Sequence, residues 1–102
     1  MVSGWLLVIN NFTNNTIRTV KFNFLNLTNT YTITTATNKD VYTWTFPTAY
    51  QFSNSYAIVC TSNQSNCRCR NTKTNANAVI NLYNGGGSKN TVTLIGAIAF
   101  GY

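Results

Sequence analysis

Apolar and polar residues alternate with a period of two along most of this chain, and no segment with a helical period interrupts them. In "VKFNF", Val20, Phe22 and Phe24 fall on one face of an extended strand, and Lys21 and Asn23 on the other. In "YTWTF", Tyr42, Trp44 and Phe46 share a face, with Thr43 and Thr45 opposite. "YAIVC" and "AVINLY" read as more buried strands, and "WLLVI", Trp5 to Ile9, as a strand buried on both sides or paired along an edge. Polar breaks separate these runs: "NNFTNN"; "TNKD", Thr37 to Asp40, as a hairpin turn; "FPTAYQFSNS" with the only proline, Pro47, as a crossover; "TSNQSN"; and "NGGGSKN", whose glycines can take positive φ. The pattern predicts an all-β fold, a small antiparallel β-sandwich of about eight strands, as one domain over residues 1–102.

The last stretch, "LIGAIAFGY", is the most apolar of all. Read as one strand from Thr91, it divides by parity. Val92, Leu94, Gly96, Ile98, Phe100 and Tyr102 share a bulky face, which predicts a core position. Thr91, Thr93, Ile95, Ala97, Ala99 and Gly101 share a small face, which another surface can approach closely. That surface is either a neighbouring subunit or the opposite sheet of the same sandwich.

Composition sharpens the picture. Charged residues make up 8% of the 102 residues, against roughly 25% in an average soluble domain. Asn and Thr, 17 of each, take their place, so solubility rests on amides and hydroxyls. With 14% aromatics the chain is not of a disordered type. No apolar run reaches the length of a membrane span, so no membrane insertion is predicted, and no basic region followed by an apolar stretch marks a signal peptide. The net charge of +6 favours an anionic partner. The cations are spread out, without the dense stripe that nucleic acid calls for. The four N-x-S/T sequons, at Asn11, Asn14, Asn26 and Asn63, are what so much Asn, Ser and Thr gives by chance.

The chemistry is defined by what is missing. There is no His and no Glu, and Asp40 is the sole acid. Neither a carboxylate pair nor a Ser–His or Cys–His nucleophile can be built within one chain, so catalytic residues and a cofactor are not expected, and the reading is non-enzymatic. Cys60, Cys67 and Cys69 read first as small buried thiols. A Cys60–Cys67 bridge across "TSNQSN" and a metal site are the alternatives; no His supplies a fourth ligand, so no metal is expected. In "CRCR" the two cysteines take one face and Arg68 and Arg70 the other. The arginines read as an anion-holding pair or as a solvated face that blocks edge-to-edge pairing.

The order of these features resembles the C-terminal receptor-binding knobs of phage tail fibres over about residues 43–102. "TWTFPTAYQFSNSYAIVCT" is similar to that family's Thr-rich strand running into "TFP.AF", a polar gap and a "Y.VV.T" strand. "NANAVINLYN" follows, and "LIGAIAFGY" resembles the closing "WIAIGY". Thr45, Phe46, Pro47, Tyr50, Tyr56, Val59, Thr61, Ile98, Gly101 and Tyr102 carry the likeness. Where the family often has Trp near the closing strand, this chain has Ile95 or Gly96, and "CRCR" has no counterpart.

The resemblance implies a β-sandwich-like homotrimeric knob at the tail-fibre tip of a virion, touching a host cell-surface receptor. A glycan or an anionic envelope polymer would suit the amides, hydroxyls and positive charge. Tyr50 is the candidate for stacking. Asn63, Gln64 and Asn84 are candidates for hydroxyl contacts, and Arg68, Arg70 and Lys89 for anions. Two other readings stay open: a small β-barrel binding single-stranded nucleic acid, and a ligand-free structural virion module.

Overall fold

A computed structural model describes residues 2–13 and 16–102, with side chains from Val20 onward. Asn14, within the first polar break, and Met1 lie outside the described residues. The protein is all-β. Its strands are β1 (Val2–Thr13), β2 (Thr16–Leu27), β3 (Tyr31–Ile33), β4 (Asn38–Thr45), β5 (Tyr56–Ser62), β6 (Cys67–Lys73), β7 (Asn77–Asn84), β8 (Asn90–Val92) and β9 (Ile95–Gly101). Three antiparallel sheets form, in the orders β1-β2-β9-β5, β4-β7-β6 and β3-β8. The inner faces of the two larger sheets meet in a single core, as in a small sandwich.

The alternation along the middle strands does what the pattern predicts. Trp44 and Phe46 point inward from the β4 end, and Ala78, Ile80 and Leu82 from β7. Four aromatic rings fill one end of this core. Phe46 meets Trp44, Tyr50 and Tyr56 edge-on at 4.9, 5.1 and 5.4 Å, and Tyr50 stacks on Tyr56 at 4.0 Å and 8°. The crossover from Phe46 to Ser55 is what brings Tyr50 inside. Its backbone N donates to Asn75 O, and its hydroxyl accepts from Asn23 Nδ2 at 2.8 Å.

The chain end departs from the expected register. Residues 91–102 are not one strand. β8 pairs with β3, the ladder breaks at Thr93 and Leu94, and β9 resumes between β2 and β5. Asn63 holds the break: its Oδ1 accepts from Thr93 N at 3.1 Å and Leu94 N at 3.2 Å. Within β9 the small face turns inward. Ile95, Ala97 and Ala99 are buried, whereas Ile98 and Phe100 are 40% and 39% exposed. The bulky face expected in the core is therefore the outer one, and the small face meets the opposite sheet of the same sandwich, the second of the two surfaces expected for it. The reason is volume: with Tyr50 and Tyr56 stacked at that end, the strand beneath them has room only for methyl groups. The same inversion holds in β2, where Asn23, Leu25 and Leu27 are buried and Phe24 is outside.

Two smaller corrections follow. The turn before β4 lies at Thr34–Thr37, not at "TNKD": Ala36 takes φ 54°, and residues 38–40 are already strand. No glycine of "NGGGSKN" has positive φ. Gly101 is demanding for another reason. A Cβ there would fall on Ser55 O and within 2.5 Å of Tyr56 Cα and Cβ, so β5 and β9 close on each other only through a bare backbone.

The three thiols are not all free. Cys60 of β5 and Cys69 of β6 form a disulfide across a Cα–Cα distance of 5.6 Å, and Cys67 remains as a buried thiol. The period of two turns Cys67 into the core, and Cys69 stands where the edges of the two large sheets meet. The bridge ties one sheet to the other and is not the Cys60–Cys67 loop closure. Burial pushes the Cys67 thiol above its usual range.

The inward small face makes a specific demand. Ala99→Leu should destabilise the fold by about 1–3 kcal/mol through overpacking. Phe100→Ala, on the outer face, should leave the midpoint of subunit unfolding close to that of the parent, as chemical denaturation at low protein concentration would measure.

Candidate functional site

The sequence candidates do not gather at one place. β5 and β6 run between two ends of the sandwich. Asn63, Gln64, Arg68, Asn84 and Lys89 lie toward the end that holds loops 63–66 and 85–89. Tyr50 lies at the opposite end, and Arg70 sits partway along the outer face of β6.

Two of them are structural. Tyr50 is 1% exposed, so no ligand can stack on it. Asn84 is wholly buried. Its Nδ2 donates to Ile33 O at 3.0 Å and Ser88 O at 2.8 Å, and its Oδ1 accepts from Gly86 N at 2.9 Å. It knots the β3 end to the glycine loop, and every polar atom of its amide is engaged. Asn63 is exposed, yet its amide clamps the β8–β9 break and donates to Thr93 Oγ1 at 3.1 Å. Gln64 is half-buried, while Arg68, Arg70 and Lys89 are exposed. The Arg70 guanidinium lies over the Tyr83 ring at 4.8 Å. Asp40 does not pair with it; Asp40 Oδ1 accepts from Asn81 Nδ2 at 2.8 Å.

Two surfaces stand out instead. The first is an open cleft of about 810 Å³ at the Tyr50 end, between the crossover and the β6–β7 turn. It is lined by Gln51, Phe52, Ser53, Asn54, Lys73 and Asn75, with Thr74. The Phe52 ring is 58% exposed. Its loop is rigidly based: the single Ser55 hydroxyl proton is shared between Tyr102 O at 2.6 Å and Phe52 O at 2.9 Å, and Gln51 N donates to Tyr102 O at 2.9 Å. Thus the chain end fastens the loop that presents Phe52. Lys73 is held as well, with Nζ donating to Tyr56 O at 2.5 Å and lying 4.6 Å from the Tyr56 ring. Within the crossover the candidate ring, Tyr50, is buried, and the exposed ring is Phe52. Tyr50 and Phe52 share a parity in a stretch that is not a strand, so alternation had no means of separating them.

The second surface is the outer face of the four-stranded sheet. Phe24, Ile98 and Val59 stand on one rung and Phe22, Phe100 and Ala57 on the next. Phe24, Ile98 and Phe100 are each about two-fifths exposed and Val59 is 63% exposed. Phe22 stacks on Phe100 at 6.3 Å. Gly96 opens a groove of about 320 Å³ beside Phe24, Ile98 and Val59. In β1, Trp5, Leu7 and Ile9 pair with Phe24, Phe22 and Val20. No charged residue occupies these rungs of β2, β9 or β5.

The burial that displaced Tyr50 from the surface also sets an alkaline limit. Burial, and then the neighbouring Tyr50, push the Tyr56 hydroxyl up to about 12 from a usual 10. Below pH 10 both folded and unfolded chains keep that proton. Between about pH 10 and 12 the unfolded chain gives it up first, so stability should fall as pH rises through this window. Tyr56→Phe should reduce the steepness of that fall in denaturation midpoints taken from pH 9 to 12. Asn84→Ala should lower stability by about 1–3 kcal/mol, since it strands buried carbonyls. It should leave binding by the correctly folded fraction unchanged, which a binding assay corrected for folded protein would check.

No family model matches this chain, and neither the curated proteins nor the solved structures compared with it give a match.

Proposed function

We propose that this domain is the receptor-binding tip of a phage or phage-like tail fibre, working as a homotrimer without catalysis and attaching to a glycan or anionic polymer of the host surface. The observation that carries this reading is the apolar patch of Phe22, Phe24, Val59, Ile98 and Phe100 on two charge-free rungs of the four-stranded sheet, together with the residue order that resembles the knob family. Isolated exposed apolar residues need no explanation, but a continuous patch does. Phe24, Val59, Ile98 and Phe100 together leave roughly 300 Å² of apolar surface in water, taking full side chains at about 150–250 Å².

Charge favours a second copy as the occupant. Each chain carries +6, so two copies repel unless they meet where no cation stands. Arg68, Arg70, Lys39 and Lys89 belong to β6, β4 and a loop outside this sheet, Lys73 Nζ is engaged by Tyr56 O and Lys21 Nζ by Ala49 O, and Arg18 lies further along β2, four residues before Phe22. A standard interface takes about 800 Å² from each partner, so the contact must extend beyond the four side chains, and β1 adjoins them on the same rungs. The expected trimer contact thus shifts from the small face of the last strand to its bulky one. The small face is already occupied by the subunit's own core.

The nucleic-acid alternative needs aromatics and cations on one surface. Here the exposed aromatics Phe24 and Phe100 stand on one sheet and Arg68 and Arg70 on the other, and the aromatic–cation pair of exposed Phe52 and Lys73 is a single site rather than a row of stacking rings, an arrangement that does not favour it.

Sedimentation equilibrium should give about three times the 11.3 kDa chain mass. Ile98→Ser with Phe24→Ser should yield folded monomer, because neither side chain belongs to the core. The parent, and not this variant, should compete with intact virions for adsorption to host cells. A parent that stays monomeric at high concentration would defeat the reading.

A further inference from the structure

The Phe52 cleft combines three features that no part of the core requires. An aromatic ring stands more than half exposed on a loop whose backbone is pinned at both Phe52 and Ser55. The side-chain amides of Gln51, Asn54 and Asn75 surround it and make no hydrogen bond within the described protein. An ammonium group is held in place by Tyr56 O, with two of its three N–H donors left for another partner. No Asp or Glu side chain lines the cleft. Hydrophobic burial accounts for neither an exposed Phe nor a ring of unemployed amides, and solvation alone does not explain their gathering in one concavity.

These features match one ligand chemistry. A pyranose ring has an apolar C–H face for an aromatic ring and a rim of hydroxyls that both donate and accept. Side-chain amides also do both. An acidic substituent on the sugar would meet the Lys73 ammonium, which is positioned before the ligand arrives and so loses little freedom on binding. The volume of about 810 Å³ lies within the range of small-molecule sites.

We infer that the Phe52–Lys73–Asn75 cleft is a binding subsite for an acidic saccharide, with Phe52 stacking under the sugar ring, Asn54, Asn75 and Gln51 bonding its hydroxyls, and Lys73 holding its carboxylate. This rests on the attachment reading for its biological role, but the binding chemistry stands apart from it. None of the sequence candidates Asn63, Gln64, Arg68 or Lys89 takes part, because they lie toward the other end of β5 and β6.

The test is titration of the full chain with methyl glucuronide, methyl glucoside and inorganic phosphate, followed by NMR of the Phe52 ring and the side-chain amides. Methyl glucuronide at millimolar concentration should shift Phe52, Asn54 and Asn75, and methyl glucoside should do so more weakly. Phe52→Ala, which removes an exposed ring and spares the core, should weaken glucuronide binding at least tenfold. Lys73→Gln should bring the two sugars to similar affinity. The inference falls if glucuronide leaves these resonances unmoved, if Phe52→Ala binds as well as the parent, or if phosphate alone moves Lys73 while neither sugar moves Phe52. Glucuronide binding by a chain that sediments as a monomer and does not adsorb would overturn the knob reading and leave the cleft standing. Undiminished adsorption by trimeric Phe52→Ala would uphold the knob and overturn the cleft as its receptor subsite.

Discussion

The stack of Tyr50 on Tyr56, wedged by the edge of Phe46, is the contact on which the rest of this structure depends. Four rings in one end of a 102-residue sandwich use up the volume that the facing strand would otherwise share. β9 answers with Ala97 and Ala99, and at Gly101 with no side chain at all. The apolar content of the chain end then has to go elsewhere, and Ile98 and Phe100 go outward. A core that is aromatic on one side and, along the Ala97–Gly101 end of β9, methyl-sized or smaller on the other thus leaves the larger residues of that strand outside. Inner crowding and outer stickiness are two sides of one strand, because successive side chains must alternate.

The same contact organises the cleft. Tyr50 enters the core through a crossover that is not a strand, so the residues after it are free to turn back. Gln51 N and Ser55 Oγ then bond to Tyr102 O, and Phe52 is fastened in turn by Ser55. Tyr56, the lower ring of the stack, lends its carbonyl and its face to Lys73. The surface where an exposed ring, idle amides and a fixed ammonium meet is therefore built directly over the aromatic core. Its rigidity comes from that core, from Tyr102 O and from the loop's own Phe52–Ser55 bonds.

Much of the site escaped a reading by pattern. Asn63 and Asn84 look like ligand residues because they are amides in glycine- and serine-rich loops. Both are spent on backbone groups that strand breaks leave unpaired. Abundant Asn makes such residues indistinguishable in sequence: an amide that binds outward and one that caps inward have the same letter and similar neighbours. Phe52 and Lys73 are 21 positions apart. Only the hairpin of β6 and β7, folded against the crossover, makes them neighbours.

Alternation by itself determined that the chain is all-β and antiparallel, where most strands lie and which residues share a face, and composition that the chain holds no His and no Glu. A period of two needs only local sterics to be read, and an absent His or Glu is absent in any fold. Which face turns inward was decided by tertiary structure alone. In β2 and β9 both faces are apolar enough to be core, and hydrophobicity does not choose between them. In β9 the choice falls to volume: the aromatic stack, assembled from residues 44–56, admits alanine and excludes phenylalanine, and β2 pairs with β9 in the matching phase. The break at Thr93–Leu94, the Cys60–Cys69 bridge between sheets and the burial of Tyr50 were settled in the same way, by distances between segments that no local pattern records.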